Sequence, residues 1–450
     1  MNTKEKLVKQ IEKQILDELE EEMKELNRQG KLHKFETAMD HAVEKFNKAL
    51  KEKTEAILNE DSKESGKKKP CPQCGRPTRI VNYDSTIEVL TKHGKIFIVR
   101  DYYFCRYCHE GFTALDDKLE LFSDHKATLE MADMITYAGQ VAMSFEKSSE
   151  LIKKFTGIEV SDSLIRSITE ETGEKVFRQD IERAKESYEK PEIAAPSLLE
   201  KDKKKGVLYI MMDGSAINTI QVDNLGSSWR EMKLGLVFAD YNRVKRKDGK
   251  IIITEKEYVA FFGEVGEFKK LLFDAAARAG YGKIKEVVVI GDGAHWIWNM
   301  CEEIFPDAVQ ILDYYHLSEN VHKFARYLYP DNDIEMKRWS KDTLGKLEEG
   351  RFNEVVTGLQ DLEGKKLPPQ IPNLKVYLEN NRHRINYRQY KIKGYYIGSG
   401  AIESGNKMVI QQRMKQSGMR WSVPGGQQVA ALRAKYASEQ WNKVQSVIGL

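Results

Sequence analysis

"VVVIGDGAHWIW", residues 287–298, sets an unbroken apolar run directly against an aspartate. Val287, Val288, Val289 and Ile290 read as a strand buried on both faces, the kind found inside a parallel sheet. Asp292 stands where that strand ends, before a glycine and a segment read as a helix. "VLYIMMDGS", residues 207–215, repeats the pattern around Asp213. A third acid, Glu403, lies in "GSGAIESGNKMVIQQRMKQSGMRWS", residues 398–422, where a glycine-rich turn enters a predicted helix. Each acid alone has a plain structural explanation, because Asp-Gly favours turns and glutamate favours helix starts. Together, in strand, strand and helix order, they fit a site that holds two divalent ions about 4 Å apart. Oxygen donors favour Mg2+ or Mn2+. Gly214 and Gly293 are expected to let a polynucleotide backbone approach those ions.

The surroundings of Glu403 are basic. From Arg382 to Lys443 there are twelve Lys or Arg against two acids, as expected of a surface that meets phosphates. The whole chain has 450 residues, 72 Lys plus Arg and 69 Asp plus Glu, so its net charge of +3 does not by itself imply nucleic acid. With 41% hydrophobic residues it can bury more than one core. It lacks both a long apolar run and a signal-peptide pattern, so the expectation is a cytoplasmic, nucleoid-associated protein with no membrane partner.

Five segments are expected. Residues 1–65 form a charged helical arm in which Leu7, Ile11, Ile15, Leu19, Met23 and Leu26 make an apolar stripe. That arm either meets a partner or lies on its own protein. Residues 66–122 hold two cysteine pairs around a hairpin that turns at His93 and Gly94. Residues 123–195 are helical and helix-turn-helix-like, with a turn at Gly157 and a helix capped by Ser161. Residues 200–330 plus 381–442 alternate strands and helices as one α/β core, interrupted by a helical insertion over 331–380.

"CPQCG" supplies Cys71 and Cys74, and "CRYC" supplies Cys105 and Cys108. Two residues between cysteines let both thiolates of a tight knuckle reach one ion, and a hairpin can bring two knuckles together. A structural Zn2+ in a zinc ribbon is the expectation; unrelated thiol pairs or a redox couple are the alternative. Cys301 reads as a small packing residue.

"MMDGS", "VIGDGAHWIW", "ILDYYHLSENVH", "GSGAIESGNK" and "SGMRWSVPGG" occur in the order found in bacterial insertion-sequence transposases with an Asp, Asp, Glu triad, a group related to the Mutator-like elements. The chain resembles that family from about Cys71 to its C-terminus. The resemblance implies a ribonuclease-H-like mixed sheet with flanking helices and an insertion before the last acid. It implies Asp213, Asp292 and Glu403 as catalytic ligands of two Mg2+ (or Mn2+) ions, and a place near the site for Asp313 and His316 of "DYYH". Trp296 and Trp298 either pack the following helix or stack on a base, packing being preferred. Arg166, Lys407, Arg413, Lys415, Arg420 and Trp421 are the expected DNA contacts, a solvated helical face being the other reading.

The activity so implied is cleavage at element ends followed by transfer of the 3′-hydroxyl into target DNA. Its partners would be terminal inverted repeats, target DNA and further copies of the chain in a dimer or larger synaptic oligomer. A nuclease of the same core that never joins ends is one alternative; a noncatalytic DNA-binding regulator is another.

Overall fold

The computed structural model describes residues 32–62, 68–113, 119–190, 206–360 and 371–450 apart from positions 225 and 250, with five isolated positions elsewhere. The expected stripe from Leu7 to Leu26 therefore lies outside the described residues. The chain divides into two compact units: residues 1–138, 145–168 and 448–450 form the first, and 139–144 with 169–447 form the second. The expected helical region 123–195 is thus shared between them. Among the described residues, no helix is long and apolar enough to cross a membrane.

In the first unit, helix α1 (Leu32–Ser62) precedes a three-stranded antiparallel sheet of β1 (Arg79–Thr91), β2 (Gly94–Cys105) and β3 (Glu110–Thr113). The hairpin turns between Thr91 and Gly94, where the sequence placed it. Alternation puts Ile87, Val89, Ile96 and Ile98 into a small core that Leu58 of α1 helps to cover. The open edge of β2 is closed by side chains of that helix: the Phe97 N–H donates to Glu55 at 2.7 Å and the Val99 N–H to Asn59 at 2.8 Å. The described half of the arm therefore lies on its own protein. Helices α2 (Leu129–Val141), α3 (Phe145–Thr156) and α4 (Asp162–Glu189) follow. Gly157 has φ +73°, and Ser161 Oγ accepts the Leu164 N–H at 3.2 Å, the turn and cap expected of this pair.

The second unit is built on a mixed five-stranded sheet flanked by helices. Its strands are β4 (Val207–Asn218), β5 (Trp229–Ala239), β8 (Glu257–Phe261), β9 (Glu286–Gly291) and β10 (Val309–Leu312), in the spatial order β10-β9-β4-β5-β8. The first three form an antiparallel meander, and β9 and β10 add parallel to β4. A small hairpin of β6 (Arg243–Lys245) and β7 (Ile251–Ile253) is separate from it. On the face of Met212 and Gly235, helix α5 (Val265–Arg278) packs so closely that a Cβ on Gly235 would stand 2.7 Å from Leu272. Helices α6 (His295–Ile304) and α7 (Tyr314–Leu328) follow β9 and β10. The insertion carries α8 (Asp333–Glu348), α9 (Phe352–Gln360) and α10 (Leu374–Asn380); α11 (Tyr387–Ile392), α12 (Gly400–Asn406), α13 (Val423–Ala437) and α14 (Trp441–Ile448) complete the chain.

The edge of β8 is closed as that of β2 is. Gln427 of α13 accepts the Phe262 N–H at 2.7 Å and donates to the Ala260 carbonyl at 3.1 Å, while Ser438 accepts the Tyr258 N–H at 2.8 Å. Gln427 is buried, so truncating it strands a donor and an acceptor without water. Gln427→Ala is expected to cost about 2–4 kcal/mol, read as a lower urea midpoint at unchanged slope. A shift under about 0.5 kcal/mol would show that the edge does not depend on this side chain.

Candidate active site and cysteine cluster

The sheet registers bring three aspartates to one level. β4 pairs with β9 up to Met211 opposite Ile290, and β9 pairs with β10 up to Gly291 opposite Leu312. Continued by two residues and by one, these registers set Asp213 beside Asp292 and Asp292 beside Asp313. Asp213 lies within β4, whereas Asp292 and Asp313 each stand one residue past the end of β9 and β10, and neighbouring strands lie about 4.8 Å apart. Tyr209, Met211 and Asp213 alternate onto the same face of β4.

Asp213 is half-buried. Its Oδ1 accepts the Gly214 N–H at 2.8 Å and its Oδ2 accepts from Asn406 Nδ2. Burial pushes its carboxyl above the ordinary aspartate range; Asn406 and the Gly214 N–H oppose the rise, and the charge of Asp292 adds to it. Asp292 Oδ1 accepts the Ala294 N–H at 2.9 Å. Asp313 is fully buried and caps α7, accepting from the Tyr315 and His316 N–H groups at 3.3 and 3.0 Å. It also accepts the Ser399 N–H at 2.7 Å, while Ser399 Oγ donates to Glu403 at 2.8 Å.

Asp313 therefore clamps the start of α7 to the turn that carries Glu403. Asp313, His316 and Glu403 offer ligand atoms all within 4.8 Å of one another. With three N–H groups already on Asp313, the donors left facing outward are His316 and Glu403. Among the described residues, no group of three this tight includes Asp213, which lies within β4, or Asp292, which follows the end of β9.

Side chains that sequence reasoning did not single out hold this arrangement. Ser399 and Asn406 flank Glu403 by four and three residues in "GSGAIESGN", one helical face, and that spacing was the available signal. Tyr377 of the insertion donates to the Asp292 carbonyl at 3.3 Å, and burial pushes its phenol upward. After Asn406 the helix widens into a π turn over Lys407–Gln411. Its carbonyls at Met408 and Val409 are taken by the buried Arg433.

Several expected contacts fall elsewhere. Arg413 is buried, donating to the Gly139 carbonyl at 3.1 Å and the Met143 carbonyl at 3.3 Å, with its guanidinium 5.0 Å from the Trp421 ring. Trp421 is buried too, its indole N–H on the Met414 carbonyl and its backbone bridged to Thr219. Arg413 ties the C-terminal segment to the chain at Gly139 and Met143, Trp421 ties it to the end of β4, and neither side chain presents itself to a phosphate. Lys407, Lys415, Arg420 and Arg166 are exposed. Lys415 reaches Ser215 Oγ at 3.2 Å and Arg420 the Thr219 carbonyl at 3.1 Å, both near the end of β4. Trp298 is buried under Arg384, and Trp296 packs edge-on against Phe268, so both serve the core.

Gly293 is required by its own backbone, while at Gly214 the neighbour is the movable end of the part-exposed Glu231 side chain. A Cβ on Gly214 would meet Glu231 at 2.2 Å, and Gly293 has φ +101°.

In the first unit, Cys71, Cys74, Cys105 and Cys108 have their sulfurs within 4.8 Å of one another, with Cys71–Cys108 at 3.9 Å and Cys74–Cys105 at 3.7 Å. A tetrahedral zinc with bonds of about 2.3 Å needs sulfurs about 3.8 Å apart, so the cluster can hold one. Hydrogen bonds from the backbone at Cys108 and Tyr107 pull the Cys105 thiol down to about 7, toward the thiolate that a metal requires. Gly75, at φ +68°, closes the first knuckle, and Arg76 stacks 4.0 Å from the Tyr107 ring between the two.

A match to a family profile extends over residues 78–447, most of the chain. The chain belongs to the uncharacterised protein family UPF0236. The span matched by UPF0236 contains every acid of the candidate site together with Cys105 and Cys108, and begins after Cys71 and Cys74. No curated protein matches the chain.

A pH test follows from Asp213. Its folded pKa is raised, so its contribution to stability is fully present below the unfolded value of about 3.9 and is lost as pH rises through the folded one. In magnesium-free buffer, Asp213→Asn is expected to be more stable than the parent at neutral pH, the advantage fading toward about pH 4. Urea midpoints at both pH values check this; an advantage that grows in acid would contradict it.

Proposed function

We propose that this UPF0236 chain is a DNA transposase with a ribonuclease-H-like core, cutting at insertion-sequence ends and joining the freed 3′-hydroxyl to target DNA. The observation that carries the reading is that Asp213 on β4 has as register neighbours the strands β9 and, beyond it, β10, which end just before Asp292 and Asp313, with Glu403 tied to Asp313 through Ser399. Further support comes from the strand order, with β4 central, an antiparallel meander on one side and parallel strands on the other. The helical insertion falls before the last acid, as the family resemblance implies.

Asp213, Asp292 and Glu403, with His316 beside them, have the donor chemistry for two Mg2+ or Mn2+ ions; burial raises the Asp213 carboxyl, and the charge of Asp292 adds to the rise. When bound, such ions activate the attacking oxygen and neutralise the leaving one. Asn406 and Ser399 fix the two ends of the acid set, and Asp313 keeps α7 and α12 in register. Lys407, Lys415 and Arg420 supply exposed positive charge for phosphates. In the cleavage step a water oxygen bonds to phosphorus and the 3′ oxygen leaves with a proton. In the joining step that 3′ oxygen bonds to a target phosphorus and displaces another 3′ oxygen, so the number of phosphodiesters is conserved. The four-cysteine cluster, as a zinc ribbon, and the α3–α4 pair with Arg166 would bind terminal repeats. Two ends joined in one event call for a dimer or larger assembly.

The deciding experiment incubates the purified chain and Mg2+ with duplexes from both flanks of its coding region and a supercoiled plasmid. Joined products are expected. Hydrolysis without joining would reassign the chain as a nuclease, and binding with neither reaction would make it a regulator.

A further inference from the structure

A cavity of about 870 Å3 opens beside the acids of the second unit, within the range of sites that bury a small organic ligand. Its walls are unusually aromatic. Tyr314, Tyr315, Tyr395 and Tyr396 line it, with Met211 at the floor. Two of the rings are fixed by their hydroxyls: Tyr395 donates to Glu286 at 2.6 Å and Tyr314 to Glu348. Tyr396 is held between Arg243, 4.0 Å from its ring, and Tyr209. Tyr315 is 59% exposed, so one face of its ring is available to a ligand.

The acids do not line the cavity themselves, but several of its wall residues are their close neighbours in the chain. Met211 shares the face of β4 with Asp213, Tyr315 lies between Asp313 and His316 in sequence, and Gly400 and Ser404 bracket Glu403 on α12. Gly400 adds an independent observation. Its backbone is outside the left-handed region, and nothing lies within 4 Å of where a Cβ would stand. By contrast, Gly398 is pressed against Tyr315 and Gly405 against Tyr258. Neither conformation nor packing asks for a glycine at position 400, so a larger side chain can be placed there to fill the cavity wall.

We infer that this cavity receives one unpaired nucleobase from the strand being processed, displaced from its stack and held against the tyrosine faces while its phosphate lies at the acids. Every base has a π-face, so such a pocket accepts bases without reading sequence, and the stacking offsets the few kcal/mol of leaving the duplex. The inference rests on the nucleic-acid reading of the same site.

The test uses a duplex with a short single-stranded 3′ tail carrying 5-iododeoxyuridine at its first unpaired position, irradiated in complex with the full chain. Cross-linking to Tyr315 is expected, with a drop of at least about fivefold in Gly400→Leu while duplex binding persists. Tyr315→Ala, a surface change, is expected to erase about tenfold of the preference for tailed over blunt duplex. Binding with cross-links only elsewhere would overturn the pocket and leave the functional reading standing. No DNA binding at all would overturn both.

Discussion

Asp292→Ala is expected to lower DNA cleavage by at least about a thousandfold while leaving end binding within about twofold, because withdrawing a ligand from a two-ion site forfeits several kcal/mol of transition-state stabilisation. The structural cost should be small. Asp292 is half-buried, and its carboxylate accepts the Ala294 N–H at the start of α6. Loss of such a cap costs about 1 kcal/mol, too little to unfold a core of this size. A second consequence separates chemistry from folding. Removing the charge of Asp292 takes away one of the causes that raise the Asp213 carboxyl, so the acid limb of the stability profile should move to lower pH while burial keeps part of the rise. Magnesium should stabilise the parent chain against heat and the variant much less. Full cleavage by the variant would remove Asp292 from the catalytic set.

The second large effect concerns the cysteine cluster. Removing zinc, or replacing Cys74 by serine, is expected to melt the two knuckles, since structural zinc sites hold about 10–16 kcal/mol of apparent binding energy that is also folding energy. The melting should be local. Cys71 and Cys74 precede β1, and Cys105 ends β2, whereas Ile87, Val89, Ile96 and Ile98 form their core nearer the turn, under α1. Hydrogen exchange should therefore lose protection over residues 69–78 and 104–113 but retain it where Glu55 and Asn59 close the strand edge. A colorimetric zinc assay should give one ion per chain for the parent and none for the variant. Magnesium-dependent chemistry on a short end duplex should persist. Protection that is unchanged after chelation would mean that the knuckles fold without metal.

Much of the scaffold was legible because its signals are local. Continuous apolar runs marked β4 and β9, an alternating run marked β1 and β2, and Gly157 with Ser161 marked the turn between α3 and α4. The strand end before Asp292 could be read for the same reason, whereas the strand expected to end at Asp213 runs on to Asn218, paired with β5. The β6–β7 hairpin and β3 went unread, being only three and four residues long and too short for a period to register.

The basic stretch around Glu403 was legible as a surplus of charge, but the surplus does not say which cations face water. Arg413 and Arg433 lie inside because backbone carbonyls at Gly139, Met143, Met408 and Val409 need donors there. Asp313 could be read as a neighbour of the site, but its work as a clamp depends on Ser399, 86 residues away.

By itself the sequence determined the four thiols, the apolar strands that lead to Asp213 and Asp292, and the glycine-rich turn before Glu403, since periodicity and ligand spacing are written within a few residues. Only the tertiary structure decided that three aspartates share one level, that Asn406 and Tyr377 brace two of them, and that an aromatic cavity opens alongside. Register and the pairing of buried polar groups are settled between segments far apart in the chain, where hydrogen bonds must be completed out of reach of water.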